Sequence, residues 1–180
     1  MWEGHQVWFI LGGGAIFAAW PLVYAVSFSG FYIAMFLVLA ALILRPVGFK
    51  YRSKRESASW RSGWDWALFV GGFVPALIFG VAVGNAIQGV PFKLDDTMRM
   101  TYEGGLVMGL LNLLNPFALL AGLVSAMMLI THGASWLTIK IEKGVVRDRA
   151  AAVGSITALV TLALYALAGV WLFLGVKGYV

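Results

Sequence analysis

Cysteine is absent from the 180 residues, and charge is scarce: 13 Lys and Arg with 8 Asp and Glu make up only 12% of the chain. Without cysteine there is no disulfide framework, no thiolate metal site and no cysteine nucleophile. Soluble domains average about 25% charged and about 45–50% apolar residues. Here 61% are hydrophobic and the mean hydropathy is +0.88, which does not fit a water-soluble globule. Strict alternation of apolar and polar residues is missing too, so a membrane β-barrel is excluded as a reading. No HExxH pattern joins His5 to His132, and no phosphate-loop lysine follows the glycines at 12–14, so neither a metalloprotease nor a nucleotide loop can be read. A basic leader is lacking at the start, where Glu3 is acidic, and this argues against a cleaved signal peptide.

What is present is a set of five apolar runs: 2–20, 27–44, 64–87, 106–139 and 150–174. Each is about 18 residues or longer, enough for a helix to cross about 30 Å of hydrocarbon. Backbone groups in lipid must pair within their own segment, so helix is the default. The expected fold is therefore an all-α integral membrane protein with about five transmembrane helices. The fourth run exceeds one span, which predicts tilt or a surface-lying lead-in. Pro75 and Pro116 are expected to kink their helices, with Asn115 or a neighbour satisfying the freed backbone groups.

The net charge of +5 resembles a nucleic-acid signal, but its placement argues for a membrane. Region 45–63 carries Arg45, Lys50, Arg52, Lys54, Arg55 and Arg61 against the single acid Glu56. Region 140–149 carries Lys140, Lys143, Arg147 and Arg149 against Glu142 and Asp148. Between the third and fourth runs the balance reverses, with Asp95, Asp96 and Glu103 facing Lys93 and Arg99. The positive-inside rule makes the two basic loops cytoplasmic, and the first run then travels from inside to outside. Trp60, Trp64 and Trp136 fall at the inner interface, Trp20 and Trp171 at the outer one. Five helices opening directly on Met1 predict an earlier helix missing from this sequence, and the end just after the fifth run suits truncation as well.

Polar residues at membrane depth are the functional candidates. On a helical wheel Glu3, Gln6, Ile10, Gly13, Gly14 and Phe17 share one side, while His5 lies opposite near Trp8, Phe9 and Gly12. A carboxylate near hydrocarbon either handles protons or sits as an interfacial acid favoured by the helix dipole; the residues alone leave both readings open. His5 is a candidate proton carrier or metal ligand, although a lone interfacial histidine is more often hydrogen-bonded structure, and His132 has the same status. Asp65 reads as a helix start, Asn85 and Gln88 as outer-end caps, and Asn112 and Asn115 as helix bridges. Gly72, Ala76, Gly80 and Gly84 form a ladder at four-residue spacing that admits close helix approach, and Ala150, Gly154 and Ala158 repeat the pattern. Plain bundle packing is the simpler reading of these ladders; a substrate channel is the sharper one.

The segments WEGHQVW (2–8), GGGAIFAAWPLVYAVSFSGFYIAM (12–35), LRPVGFKYRSK (44–54), WDWALFVGGFVPALIFGVAVGNAIQGVPF (64–92), LLNPFALLAGLVS (113–125) and ALAGVWLFLGVKGYV (166–180) together resemble subunit II of the bacterial cytochrome bd quinol oxidases. The ordered set covers nearly the whole chain. Members of that family are about twice this long, with a pair of four-helix bundles, so this sequence is expected to be incomplete at both ends. The resemblance implies a ubiquinol or menaquinol oxidase that reduces dioxygen to water and builds a proton-motive force in the bacterial inner membrane. It places haem b and haem d in the partner subunit I and none in this chain, with no catalytic residue and no metal here. A structural quinone and a small single-helix subunit are further expectations. Subunit II would support subunit I and contribute to a cytoplasmic proton path. The family carries an acid, commonly aspartate, at the position of Glu3, and His5 departs from the usual small polar residue. Trp8 matches an aromatic near the subunit boundary. The competing class is a transporter or channel subunit unrelated to respiration, to be separated by what co-purifies with the chain.

Overall fold

The computed structural model describes residues 2–89, 93–94, 100–101 and 111–175, with the backbone alone at Trp2, Glu3, His5, Gln6, Lys93, Leu94, Met100 and Thr101. Its elements are α1 (Trp2–Ala19), α2 (Pro21–Gly30), α3 (Tyr32–Tyr51), α4 (Ala58–Gln88), β1 (Lys93–Leu94), β2 (Met100–Thr101), α5 (Pro116–Lys140) and α6 (Val145–Gly175). Each of α3 to α6 is long and apolar enough to cross a membrane, and a shorter apolar stretch, Val7–Ala19, lies in α1. The two short strands form an antiparallel pair, Lys93 opposite Thr101 and Leu94 opposite Met100.

The helices α3, α4, α5 and α6 pack each on the next. Short connections at 52–57 and 141–144 make these neighbours antiparallel and bring both basic loops to one end. The row is open, and its core is a set of thin seams. On α3 the buried stripe is Ala34, Val38, Ala41 and Gly48; no large side chain among the described residues is fully buried. Lipid tails are as apolar as leucine, so large apolar residues gain nothing by turning inward, and close packing of small ones holds the helices.

Helix ends follow local chemistry more than the limits of the apolar runs. Trp20 (φ −137°, ψ 72°) breaks the first run, and Pro21 starts α2 with its fixed φ and missing N–H. The second run, 27–44, divides at Phe31 (φ −96°, ψ 20°) and continues helically through Pro46 to Tyr51. The third, 64–87, is extended to 58–88, and the fifth, 150–174, begins earlier at Val145. The reading of 106–139 as one helix with a kink at Pro116 is corrected. Residues 106–110 lie outside the described residues, and α5 starts at Pro116. Asn115 (φ −67°, ψ 157°) is its N-cap, accepting a 2.8 Å hydrogen bond from the Ala118 N–H. Pro75 does lie inside α4.

Asn85 is corrected as well: it caps nothing and is the one buried polar side chain among the described residues, 5% exposed. Its Nδ2 donates to the carbonyls of Val81 (2.9 Å) and Leu113 (2.7 Å), and its Oδ1 accepts from Asn115 Nδ2 (3.0 Å). One carboxamide thus ties α4 to the turn that enters α5. Along the same seam a Cβ built on Gly80 would lie 2.6 Å from the Ala121 oxygen and 2.7 Å from the Gly122 Cα; one on Gly84 would lie 2.8 Å from the Ala118 Cα. Ser125 Oγ donates to the Ala76 carbonyl at 2.9 Å across the seam.

Gly80→Leu is expected to destabilise the α4–α5 seam by about 1–3 kcal/mol and lower the membrane yield of the full-length protein. Gly72→Leu, with open space around it, should stay within about 0.5 kcal/mol of wild type. Equal yields and equal detergent-unfolding midpoints for the two variants would refute the seam. Asn115→Ala should cost about 0.5–2 kcal/mol for the lost cap. It also strands the buried Asn85 oxygen, a further loss of about 1–3 kcal/mol. A wild-type unfolding midpoint would contradict this.

Candidate functional site

The chemistry of the described residues gathers at the basic end of the row. Arg52, just past α3, forms a two-pronged ion pair with Asp65 on α4, its second hydrogen bond measuring 3.0 Å. The Asp65 hydrogen bond, then its charge, hold the Arg52 guanidinium above its ordinary pKa. Asp65 therefore pairs with the preceding loop two turns inside α4; α4 itself starts at Ala58, which corrects its reading as a helix start. Trp60 Nε1 donates to the Tyr51 carbonyl (2.9 Å), Arg55 lies 4.9 Å over the Trp60 ring, and Trp60 and Trp64 meet edge-to-face at 5.8 Å. On the second basic loop Lys140 sits 5.2 Å over Trp136. Cationic heads on amphipathic rings form a belt suited to a membrane–water boundary.

Of the residues singled out from the sequence, Glu3 and His5 lie on α1, and their side chains lie outside the described residues. Trp8 projects from α1, 71% exposed, while Phe9 beside it stacks on Phe79 of α4 at 5.5 Å. Ala76, Gly80 and Gly84 come together on the α5 side of α4. Gly72 does not: nothing lies within 4 Å of its missing Cβ, and it falls off the ladder. The neighbour Gly71 is the packed one, against the Ala41 oxygen on α3, with Gly48 against Leu68 further along. Four-residue spacing traces one face of α4, whereas the α3 seam lies on another; the doublet Gly71–Gly72 hid which member packs. On α6, a Cβ built on Gly154 would lie 3.2 Å from the Ala134 Cβ of α5, and the Thr131 and Thr157 hydroxyls join the same pair of helices at 2.9 Å. His132 and Asn112 are exposed.

Two grooves border α5 among the described residues. One, about 410 Å³, is walled by Phe79, Val83, Phe117, Met128, Tyr165 and Leu172 and is almost wholly apolar. The other, about 440 Å³, lies between α5 and α6 at the basic end and carries hydroxyls. Among the described residues no group of three or more His, Cys, Asp or Glu gathers to hold a metal ion.

The sequence profile of the cytochrome bd terminal oxidase subunit II family matches residues 1–180. The chain is 59% identical over 179 residues to a protein named probable cytochrome oxidase subunit 2 from Haemophilus influenzae, covering 99% of this chain and 46% of that protein. It is 55% identical to the cytochrome bd-I ubiquinol oxidase subunit 2 of Escherichia coli K12, with the same coverage. Against the cytochrome bd ubiquinol oxidase subunit 2 of Bacillus subtilis it is 32% identical over 139 residues, 77% of this chain and 39% of that protein. The chain thus spans about half the length of the curated relatives it matches. Its apolar helices make it a multi-pass membrane protein, and the match over its full length places it in the cytochrome bd terminal oxidase subunit II family.

Proposed function

We propose that this chain serves in a bacterial inner-membrane quinol oxidase as part of subunit II, packed beside a haem-bearing subunit I. The observation that carries the proposal is the family match from the first residue to the last, basic loops included. In that complex quinol is oxidised and dioxygen reduced to water, and proton-motive force builds as protons are released outside and taken up inside. The haems, in the partner subunit, supply the redox chemistry. This chain supplies a rigid row of helices whose seams are closed by backbone contact at Gly80 and Gly84. A structural quinone and a small single-helix subunit belong to the same proposal. No finding favours the transporter or channel reading.

Glu3 and His5 are proposed as members of a proton path from the cytoplasm. The support is charge and position. The positive-inside rule puts the start of the first run at the inner boundary, where proton entry is required. A carboxylate is a chemically competent proton donor and acceptor for such a path.

Tagged full-length protein, purified in mild detergent, should bring down a coloured partner with chlorin-type and b-type haem bands and quinol-dependent oxygen uptake. A colourless preparation at full yield would overturn the proposal. In the same complex Glu3→Gln should slow oxygen uptake by about tenfold or more with haem content unchanged. Wild-type turnover in that variant would remove Glu3 from the path.

A further inference from the structure

We propose that the groove between α5 and α6 at the basic end seats an anionic phospholipid, its phosphate at the mouth and the upper part of an acyl chain along the walls. The groove holds about 440 Å³. One wall is a single face of α5, Thr131, Ser135 and Thr138, at spacings of four and three residues. The other is a single face of α6, Ala151, Gly154, Ser155 and Ala158. Small residues on α6 leave the space open.

The hydroxyls give these walls an unusual character. Ser135 donates to the Thr131 carbonyl (2.8 Å), Thr138 to the Ala134 carbonyl (2.9 Å) and Ser155 to the Ala151 carbonyl (3.0 Å). Each hydroxyl proton is thereby spent on its own helix, one turn back. With these donors satisfied, the walls tolerate a methylene chain. At the deep end the Thr131–Thr157 contact at 2.9 Å closes the floor.

Charge identifies the occupant. Arg147 stands one turn before Ala151 on the groove face of α6, and its Nε donates to the Thr138 carbonyl at 3.0 Å, which fixes the guanidinium at the mouth. Its terminal N–H groups form the fork that phosphate oxygens match. Lys140 follows the wall residue Ile139 and is held over the Trp136 ring. Lys143 and Arg149 are exposed nearby, and the segment's acids are Glu142 and Asp148, so 138–149 carries four cations against two acids. A cationic mouth at the membrane surface above a groove long enough for the upper part of an acyl chain suits a phosphodiester that carries net negative charge. A zwitterionic headgroup answers only half of that complementarity.

The test uses the full-length protein in its purified complex, reconstituted in nanodiscs. The probes are phosphatidylglycerol and phosphatidylethanolamine bearing the same photoreactive acyl chain. Labelling is read by mass spectrometry on peptides spanning 131–158, without recourse to oxidase activity. Phosphatidylglycerol should label the wild type about fivefold more than phosphatidylethanolamine. Lys140→Gln with Arg147→Gln should lower its labelling about tenfold or more. Ala151→Phe, which keeps both cations and fills the groove, should lower it as well. Millimolar inorganic phosphate should leave it unchanged. Equal labelling by the two lipids, labelling that survives both sets of substitutions, displacement by free phosphate, or no adduct on 131–158 would each overturn the assignment. Should the double variant fail to assemble, the two-lipid comparison and Ala151→Phe decide.

Discussion

Backbone meets backbone where α4 crosses α5, and the rest of the row depends on that contact. At Gly80 the space for a Cβ is already taken by the Ala121 oxygen and the Gly122 Cα. Gly122 returns the constraint, since a Cβ there would lie 3.0 Å from the Leu77 oxygen. Two helices so close gain dispersion contact along their whole length, the term left when the hydrophobic effect no longer distinguishes helix from lipid. With α4 and α5 locked, α3 and α6 attach to their outer sides through smaller versions of the same device, Gly71 on Ala41 and Gly154 on Ala134. Large side chains such as Ile156, Leu159 and Leu162 are left to cover the outside of α6.

Polar groups obey an equally strict rule inside this structure. Among the described residues no buried side-chain nitrogen or oxygen lacks a hydrogen-bond partner. Asn85 and Asn115 share one bond and satisfy backbone groups with the others. Thr138, Ser155 and Thr161 bond the carbonyl one turn earlier and so carry hydroxyls through apolar surroundings without exposing a donor. Among the described residues cations gather at the basic end, beside the aromatic rings of Trp60 and Trp136.

Much of this was legible in the residues. Run length, the poverty of charge and the position of Arg and Lys point to a helical membrane protein with two basic loops on one side. The quoted segments carry the family resemblance, which the full-length match establishes. Periodicity failed where a short-range bond outranks hydropathy. The apolar character of 106–139 is continuous, yet Pro116 and the Asn115 cap start a helix inside it. Asn85 reads as an end cap because it lies three residues from the end of α4; besides Val81 in its own helix, its partners are 28 and 30 residues away, a separation that no local pattern encodes. The Arg52–Asp65 pair is hidden for a similar reason, since Arg52 reads as one cation of a basic loop and Asp65 as a helix start.

The shared carboxamide bond also orders events during synthesis. Asn85 leaves the ribosome thirty residues before Asn115, its partner in the 3.0 Å bond. In that interval its Nδ2 can reach the Val81 carbonyl within its own helix, but the Leu113 carbonyl and the Asn115 amide have not yet emerged. An unpaired carboxamide is costly in hydrocarbon, so the end of α4 is fully satisfied only once residue 115 has emerged. Capping of α5 and release of that cost then happen in one step, because the side chain that starts α5 is also the one that completes Asn85. Final docking of the two central helices is thereby coupled to the start of α5.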